Sequence, residues 1–118
     1  MMASLSNVDE ITRRSVESFL ARVHGKFPIL EVRLFGSRAR GDAKHDSDVD
    51  VAVILNGPKR RSIEIAAEMA DAGFEVLMET GRVVSIVPIA AEDWRDPSLH
   101  SNPFLIANIK REGLRFEL

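Results

Sequence analysis

The sequence contains no cysteine and no tyrosine, and it has a single tryptophan. The absence of cysteine excludes a disulfide framework and any metal site built on thiolates. The 118 residues carry a formal net charge of -2, so no bulk attraction to nucleic acid or to an anionic membrane is expected. No apolar run approaches the ~20 residues of a membrane helix, and the first residues lack the layout of a signal peptide. We therefore expect a cytoplasmic protein that does not bind membranes or, directly, nucleic acid.

A chain of this length, 45% hydrophobic and 29% charged, predicts one globular domain spanning residues 1–118. Helical and strand patterns follow one another in the order α-β-β-α-β-α. The predicted strands are Ile29–Phe35, Val49–Leu55 and Val83–Val87, and the predicted helices start after Ser6-Asn7, at about Ser62 and at Pro103. These elements predict an α+β fold, a small mixed β-sheet with helices packed mainly on one side.

The second predicted helix, about Ser62 to Thr80, has a clear apolar period. Its apolar residues at helical spacing are Ile63, Ala67, Ala70, Phe74 and Leu77, and Gly81 follows as a C-terminal cap. A helix with such a face is predicted to pack against the sheet.

Two acidic residues stand where the second predicted strand begins. Asp48 and Asp50 are two positions apart, so in a strand their side chains point to the same face, roughly 7 Å from each other. The apolar run Val51–Leu55 that follows predicts a buried strand. Two converging carboxylates suit a core poorly and suit a divalent cation well.

A wider motif surrounds these two acids. Gly36-Ser37 follows the first predicted strand, and ten residues separate it from Asp48-Val49-Asp50. This arrangement resembles the signature of the DNA polymerase β-like nucleotidyltransferase superfamily. The residues GSRARGD…SDVD are most similar to those of its minimal nucleotidyltransferases. The resemblance implies a polymerase β-like fold and a site in which Asp48 and Asp50 hold Mg²⁺ and are catalytic.

Residues around the glycine and the acids are candidates for substrate binding. Gly36 has no Cβ and lets the backbone approach a phosphate, and Ser37 adds a hydroxyl at the start of a helical turn. Together with the resemblance, this predicts contact with a nucleoside triphosphate. Arg38 and Arg40 either clamp phosphates or pair with nearby aspartates, and Ser47 is a candidate donor to the two carboxylates.

The sequence departs from the superfamily pattern at one position. Catalytic members usually carry a third carboxylate on the next core strand, whereas that strand has Ser85 at the corresponding place. Serine cannot act as a carboxylate base or as a strong Mg²⁺ ligand. The side chains that could substitute from neighbouring elements are Glu75, Glu79 and Glu92, and their spacing favours none of them.

The resemblance implies an enzyme that moves a nucleoside monophosphate, AMP from ATP, onto a hydroxyl of a partner protein. Related minimal nucleotidyltransferases are antitoxins of small helical HEPN-type toxins, and any tyrosine acceptor must lie in the partner because this chain has no tyrosine. The gap at Ser85 keeps open an alternative, a non-catalytic nucleotide- or metal-binding antitoxin that acts by occlusion. A third possibility is a small-molecule nucleotidyltransferase that works as a homo-oligomer.

Overall fold

The computed structural model describes residues 8–117. In chain order its elements are α1 (Glu10–Val23), β1 (Ile29–Phe35), α2 (Ser37–Arg40), β2 (Val49–Leu55), α3 (Ser62–Thr80), β3 (Val84–Ala90), α4 (Ala91–Arg95), α5 (Pro103–Glu112) and β4 (Leu114–Phe116). A short 3-10 turn, Pro97–Leu99, separates α4 from α5. Within residues 8–117, no helix is long and apolar enough to span a bilayer.

The bounds predicted for β1, β2 and α3 are confirmed, whereas β3 begins one residue later than predicted and extends to Ala90. Helix α1 begins at Glu10 because Asp9 caps it, its Oδ1 accepting a hydrogen bond from the amide of Thr12 (2.8 Å). Ser6 and Asn7, after which the sequence predicts this helix, lie outside the described residues. Strand β4 has only three residues, too few for a periodic pattern.

The four strands form one mixed sheet in the order β3-β2-β1-β4. Strand β1 is antiparallel to both β2 and β4, whereas β2 and β3 are parallel and are connected by the crossover helix α3. The mixed sheet predicted from the sequence is confirmed. This topology places the C-terminal end of β1 beside the N-terminal ends of β2 and β3.

Each face of the sheet packs against different helices. Val49, Val51 and Val53 of β2 contribute to a core shared with α1 and α3, the two longest helices. Ala52 and Ile54, which point the other way, pack in a second, smaller core with residues of α4 and α5. Helices therefore cover both faces, and the part of the second face nearest the start of β2 carries Asp50.

Helix α3 packs through a different face from the one that the sequence predicts. Its buried residues are Ile65, Met69 and Val76. The predicted face, from Ile63 to Leu77 at helical spacing, is exposed instead. The prediction fails because α3 carries two apolar faces, and periodicity does not distinguish the one that meets the sheet. The predicted cap is confirmed, since Gly81 adopts φ 74° and its amide donates to the Leu77 carbonyl (2.8 Å).

Candidate active site

Gly36 lies directly against the carboxylate of Asp50. Phe35, the last residue of β1, pairs with Asp50 of β2, so the chain turns at Gly36 immediately beside that carboxylate. A Cβ placed on Gly36 would overlap Oδ2 of Asp50, and the glycine has φ +75°, which other residues rarely adopt. Two independent constraints therefore require glycine here, and the Asp50 carboxylate occupies the place that a side chain at position 36 would take.

Asp48 and Asp50 flank a residue that anchors the start of β2. Val49 is fully buried in the core beneath the sheet, and its amide donates to the Val83 carbonyl at the start of β3 (2.8 Å). Asp50, the next residue, therefore points to the opposite face, and Asp48 is exposed.

The charge of Asp48 affects the ionisation of Asp50. Burial raises the pKa of the Asp50 carboxyl above its ordinary value, the negative charge of Asp48 raises this pKa further, and the Arg40 guanidinium lowers it. A raised carboxyl pKa beside a second carboxylate is the electrostatic state that a bound cation would relieve.

Ser85 is the residue of β3 that pairs with Asp50. Residues in register on neighbouring strands point to the same face, so the Ser85 hydroxyl lies on the site's side of the sheet, half-buried. Its neighbours Val87 and Ile89 contribute to the second core, as expected for that face. The strand register therefore sets Ser85 beside Asp50, whereas its correspondence to the third carboxylate of the superfamily stays a prediction.

The glutamates that could replace this carboxylate lie elsewhere. Glu75 and Glu79 pair with Arg22 of α1 at 2.7 and 2.8 Å, on the opposite side of the sheet from Asp50. Glu92 belongs to α4, which follows the far end of β3. The fold therefore brings none of the three to the carboxylates.

Ser37 begins the four-residue helix α2 immediately after Gly36. The helical turn predicted at this serine is present. The Ser37 carbonyl accepts hydrogen bonds from the amides of Gly41 (2.9 Å) and Asp42 (3.1 Å). The first amides of a helix have no partner within it. The turn thus presents backbone donors next to the carboxylate of Asp50.

Comparison with known proteins identifies the family of this chain. The family model described as the nucleotidyltransferase domain matches residues 16–115, most of the chain. The chain belongs to the nucleotidyltransferase domain family. The predicted enzyme class is thereby confirmed at the level of the family.

Individual relatives of this nucleotidyltransferase domain agree with that assignment. The "Putative protein adenylyltransferase MJ1305" of Methanocaldococcus jannaschii is 34% identical over 100 residues, which span 82% of this chain and 66% of the relative. A crystal structure of a mutant of the toxin-antitoxin MntA-HpeT matches with a TM-score of 0.57 at 17% identity, covering 89% of this chain and 71% of that one. A crystal structure of a toxin-antitoxin with AMP-PNP also gives 0.57, at 18% identity, covering 86% and 68%. These two structures show the shared fold.

The candidate site has two carboxylates suited to a cation. Within residues 8–117, no group of three or more His, Cys, Asp or Glu side chains could hold a metal ion. Asp48 and Asp50 nonetheless fit Mg²⁺, which takes one or two carboxylates and fills its other positions with water and substrate phosphates. Asp48 is exposed and Asp50 is half-buried, so both carboxylates are accessible from solvent.

Arg38 has a different environment from the one expected of a phosphate clamp. It is only 5% exposed, and its guanidinium donates to the carbonyls of Ser47 (2.9 Å) and His45 (3.0 Å) and to the Thr12 hydroxyl (2.9 Å). Asp9 lies 3.7 Å from the same guanidinium. Arg38 therefore fastens the loop before Asp48 to the start of α1, a role that requires contacts distant in sequence.

Arg40 and Ser47 are placed differently from each other. Arg40 is exposed and lies 3.4 Å from Asp42 and 3.2 Å from Glu112, so of the two arginines it is the one available to a ligand. Ser47 accepts a hydrogen bond from the amide of Lys44 (2.9 Å) and has no hydrogen bond to Asp48 or Asp50 among the described contacts. Ser47, predicted as a donor to the carboxylates, instead closes the loop that begins at Lys44.

Arg82 contacts the loop that precedes the candidate site, and sequence reasoning missed it. It lies in the turn between α3 and β3, and its guanidinium contacts the ring of His45 (3.0 Å to Nε2). This contact ties the turn to the loop that precedes Asp48. No motif or spacing marks the pair, because the two residues are 37 positions apart.

Proposed function

We propose that this chain is a Mg²⁺-dependent nucleotidyltransferase that moves AMP from ATP onto a hydroxyl of a partner protein. In this reaction the hydroxyl oxygen forms a bond to the α-phosphorus of ATP. The bond from that phosphorus to the bridging oxygen breaks, and pyrophosphate leaves.

The contact between Gly36 and Asp50 carries this proposal. It joins a turn with backbone donors to a carboxylate, so a phosphate held at the Ser37 turn would lie close to Asp50. Arg40, exposed and close enough to lower the pKa of Asp50, adds positive charge near the same place. Asp48 and Asp50 would hold Mg²⁺, whose chemistry is to neutralise phosphate charge and orient the attacking hydroxyl.

The identity of the nucleotide and of the acceptor is supported by the relatives. One relative is named as a protein adenylyltransferase, and one structure with the same fold is a toxin-antitoxin with AMP-PNP, an analogue of ATP. We therefore propose ATP as donor and, as acceptor, a tyrosine or other hydroxyl of a small helical HEPN-type toxin. A tyrosine acceptor would have to belong to the partner, since this chain contains none.

Two measurements test the proposal. Calorimetry should show Mg²⁺-dependent ATP binding that Asp48→Asn combined with Asp50→Asn abolishes, with the fold retained because neither carboxylate lies in a core. Intact-mass spectrometry of the protein encoded by the neighbouring gene should then show one added AMP after incubation with this chain, ATP and Mg²⁺. Unchanged Mg²⁺-ATP affinity in the double variant would refute the two-carboxylate site.

A second function is favoured by one observation, the pairing of Ser85 with Asp50. A site that lacks the third carboxylate can bind nucleotide without transferring it, and the chain would then act as an antitoxin that neutralises its partner by occlusion. The mass measurement separates the two functions. A partner that forms a stable complex but gains no mass, while Mg²⁺-ATP still binds, supports occlusion.

A further inference from the structure

Helix α3 exposes an apolar face along its whole length. Its most exposed large side chains are Ile63 at 69%, Phe74 at 53% and Met78 at 73%. With Leu77, and with Val83 just beyond the helix, they form one continuous surface that we name the α3 apolar face. Exposed apolar surface of this extent is uncommon on a domain that has no partner.

The α3 apolar face continues into a groove beside the edge strand β3. The groove has a volume of about 310 Å³ and is lined by small and apolar residues: Ala66, Ala70, Gly73, Phe74, Leu77, Val83, Val84 and Ile86. Val84 and Ile86 flank Ser85, whose side chain points to the other face of the same edge strand. A partner seated in the groove therefore lies at the sheet edge that carries Ser85, on the face opposite the candidate active site.

A band of acidic residues borders the α3 apolar face. Every charged residue of α3 is acidic, and together they follow the helical period: Glu64, Glu68, Asp71, Glu75 and Glu79. Three arginines outside the helix, Arg22, Arg60 and Arg61, pair with members of this band. Five carboxylates against three guanidinium groups leave the band negative.

We propose that the α3 apolar face binds an amphipathic helix of the partner protein, one whose apolar face is flanked by lysine or arginine. Such a helix buries Phe74 and Met78 and pairs its cations with the acidic band. This proposal rests on the proposed function, because the helix would belong to the partner that carries the acceptor hydroxyl.

Two other occupants fit less well. A second copy of this chain would bring another α3, which carries no lysine or arginine to meet the acidic band. An added β-strand would pair along β3, but Pro88 has no amide hydrogen to contribute to that edge.

The test uses the full chain and a synthetic helical probe. The probe is an amphipathic peptide about five turns long, with leucine on one face and lysine on the flanks, and its binding is measured by fluorescence anisotropy. Phe74→Asp with Met78→Asp should weaken binding by about tenfold or more, since the lost apolar burial outweighs the added negative charge. Ile63→Asp, at the other end of the face, should also weaken it.

Matched controls distinguish binding at this surface from nonspecific hydrophobic binding. Phe104→Asp makes the same change at a side chain that is 81% exposed on α5, and it should leave peptide binding unchanged. A peptide with glutamate in place of lysine should bind at least about tenfold more weakly. The proposal is overturned if the lysine peptide fails to bind wild type, if Phe104→Asp weakens binding as much as Phe74→Asp with Met78→Asp, or if the glutamate peptide binds equally well.

Light scattering on the chain alone tests the second-copy alternative. The chain should remain a monomer over a concentration series, and a dimer that Phe74→Asp dissociates would overturn the proposal. Failure of the proposed function is distinguishable from failure here. Asp48→Asn should leave peptide binding unchanged, and Phe74→Asp should leave Mg²⁺-ATP binding unchanged.

Discussion

Asp50 and Ser85 are paired across the parallel strands β2 and β3, with both side chains on the face that carries the candidate active site. We propose that the Ser85 hydroxyl stands where a third carboxylate would complete the cation site. Glu75, Glu79 and Glu92 all lie elsewhere. A carboxylate introduced at position 85 therefore tests whether this site transfers nucleotide or only binds it.

Ser85→Asp is expected to raise AMP transfer, because it supplies a ligand and a base for the acceptor hydroxyl. General-base assistance of this kind is typically worth 10²–10⁴-fold. Without a divalent cation the variant should melt below wild type, since a new negative charge faces Asp50, and Mg²⁺ should reverse that loss. A transfer assay with labelled ATP and melting curves with and without Mg²⁺ measure both effects.

Ser85→Asn is the matched control, similar in size to aspartate but without the charge. It should give neither the gain in transfer nor the Mg²⁺-dependent recovery of stability. Equal behaviour of the two variants, or a loss of stability in Ser85→Asp that Mg²⁺ does not restore, would favour the occlusion function.

Gly36→Ala is expected to destabilise the protein and to weaken Mg²⁺-ATP binding. Gly36 has φ 75° and ψ -159°, a region essentially restricted to glycine that costs another residue roughly 1–3 kcal/mol, and the new methyl group must displace the Asp50 carboxylate. Gly25→Ala is the control for a positive φ without a steric conflict, because Gly25 has φ +84° and no atom within 4 Å of the added Cβ. Urea unfolding should show the larger loss of stability in Gly36→Ala, and calorimetry should show lost ligand affinity in Gly36→Ala alone.

Arg38→Met and Arg40→Met should affect different properties, the first the stability of the fold and the second the binding of ATP. Removing the buried Arg38 leaves two loop carbonyls without a donor and should lower the free energy of unfolding by about 3 kcal/mol. Arg40 is exposed, so its loss should change stability little while weakening ATP binding. Denaturation and calorimetry on both variants test this division, which is wrong if Arg40→Met destabilises the fold as much as Arg38→Met.

The local parts of the site could be predicted from the sequence because their signals are local. Gly36, Ser37, Asp48 and Asp50 lie at the ends of strands whose apolar runs and turn residues mark them clearly. The interpretation of Ser85 as the position of the third carboxylate rests on the family resemblance, and its pairing with Asp50 is a strand register that the structure supplies.

The remaining features depend on tertiary contacts that leave no pattern in the chain. Arg38 stands in the motif beside Arg40, and only the approach of α1 through Thr12 makes one arginine buried and the other exposed. The packed face of α3 could not be chosen either, because both of its apolar faces fit the helical period and the sheet contacts only the one with Met69.

Stability should depend on pH through Asp50 in a direction that its environment fixes. The pKa of its carboxyl is raised in the folded protein, first by burial and then by Asp48. Between the ordinary and the raised pKa, the folded protein keeps a proton that the unfolded chain has released, so stability falls as the pH rises through this window. Asp50→Asn removes this loss.

Without divalent cations, the free energy of unfolding of Asp50→Asn minus that of wild type should therefore increase as the pH rises from below the ordinary pKa of aspartate, and then level off. Asp9, whose pKa its hydrogen bond with Thr12 lowers, gives the opposite trend, with stability lost as the pH falls. That trend is common to both proteins and cancels in the difference. Urea unfolding over a pH series measures it, and saturating Mg²⁺ at neutral pH should stabilise wild type but not the variant. A difference that shrinks as the pH rises would mean that Asp50 is not held at an energetic cost in the cation-free fold.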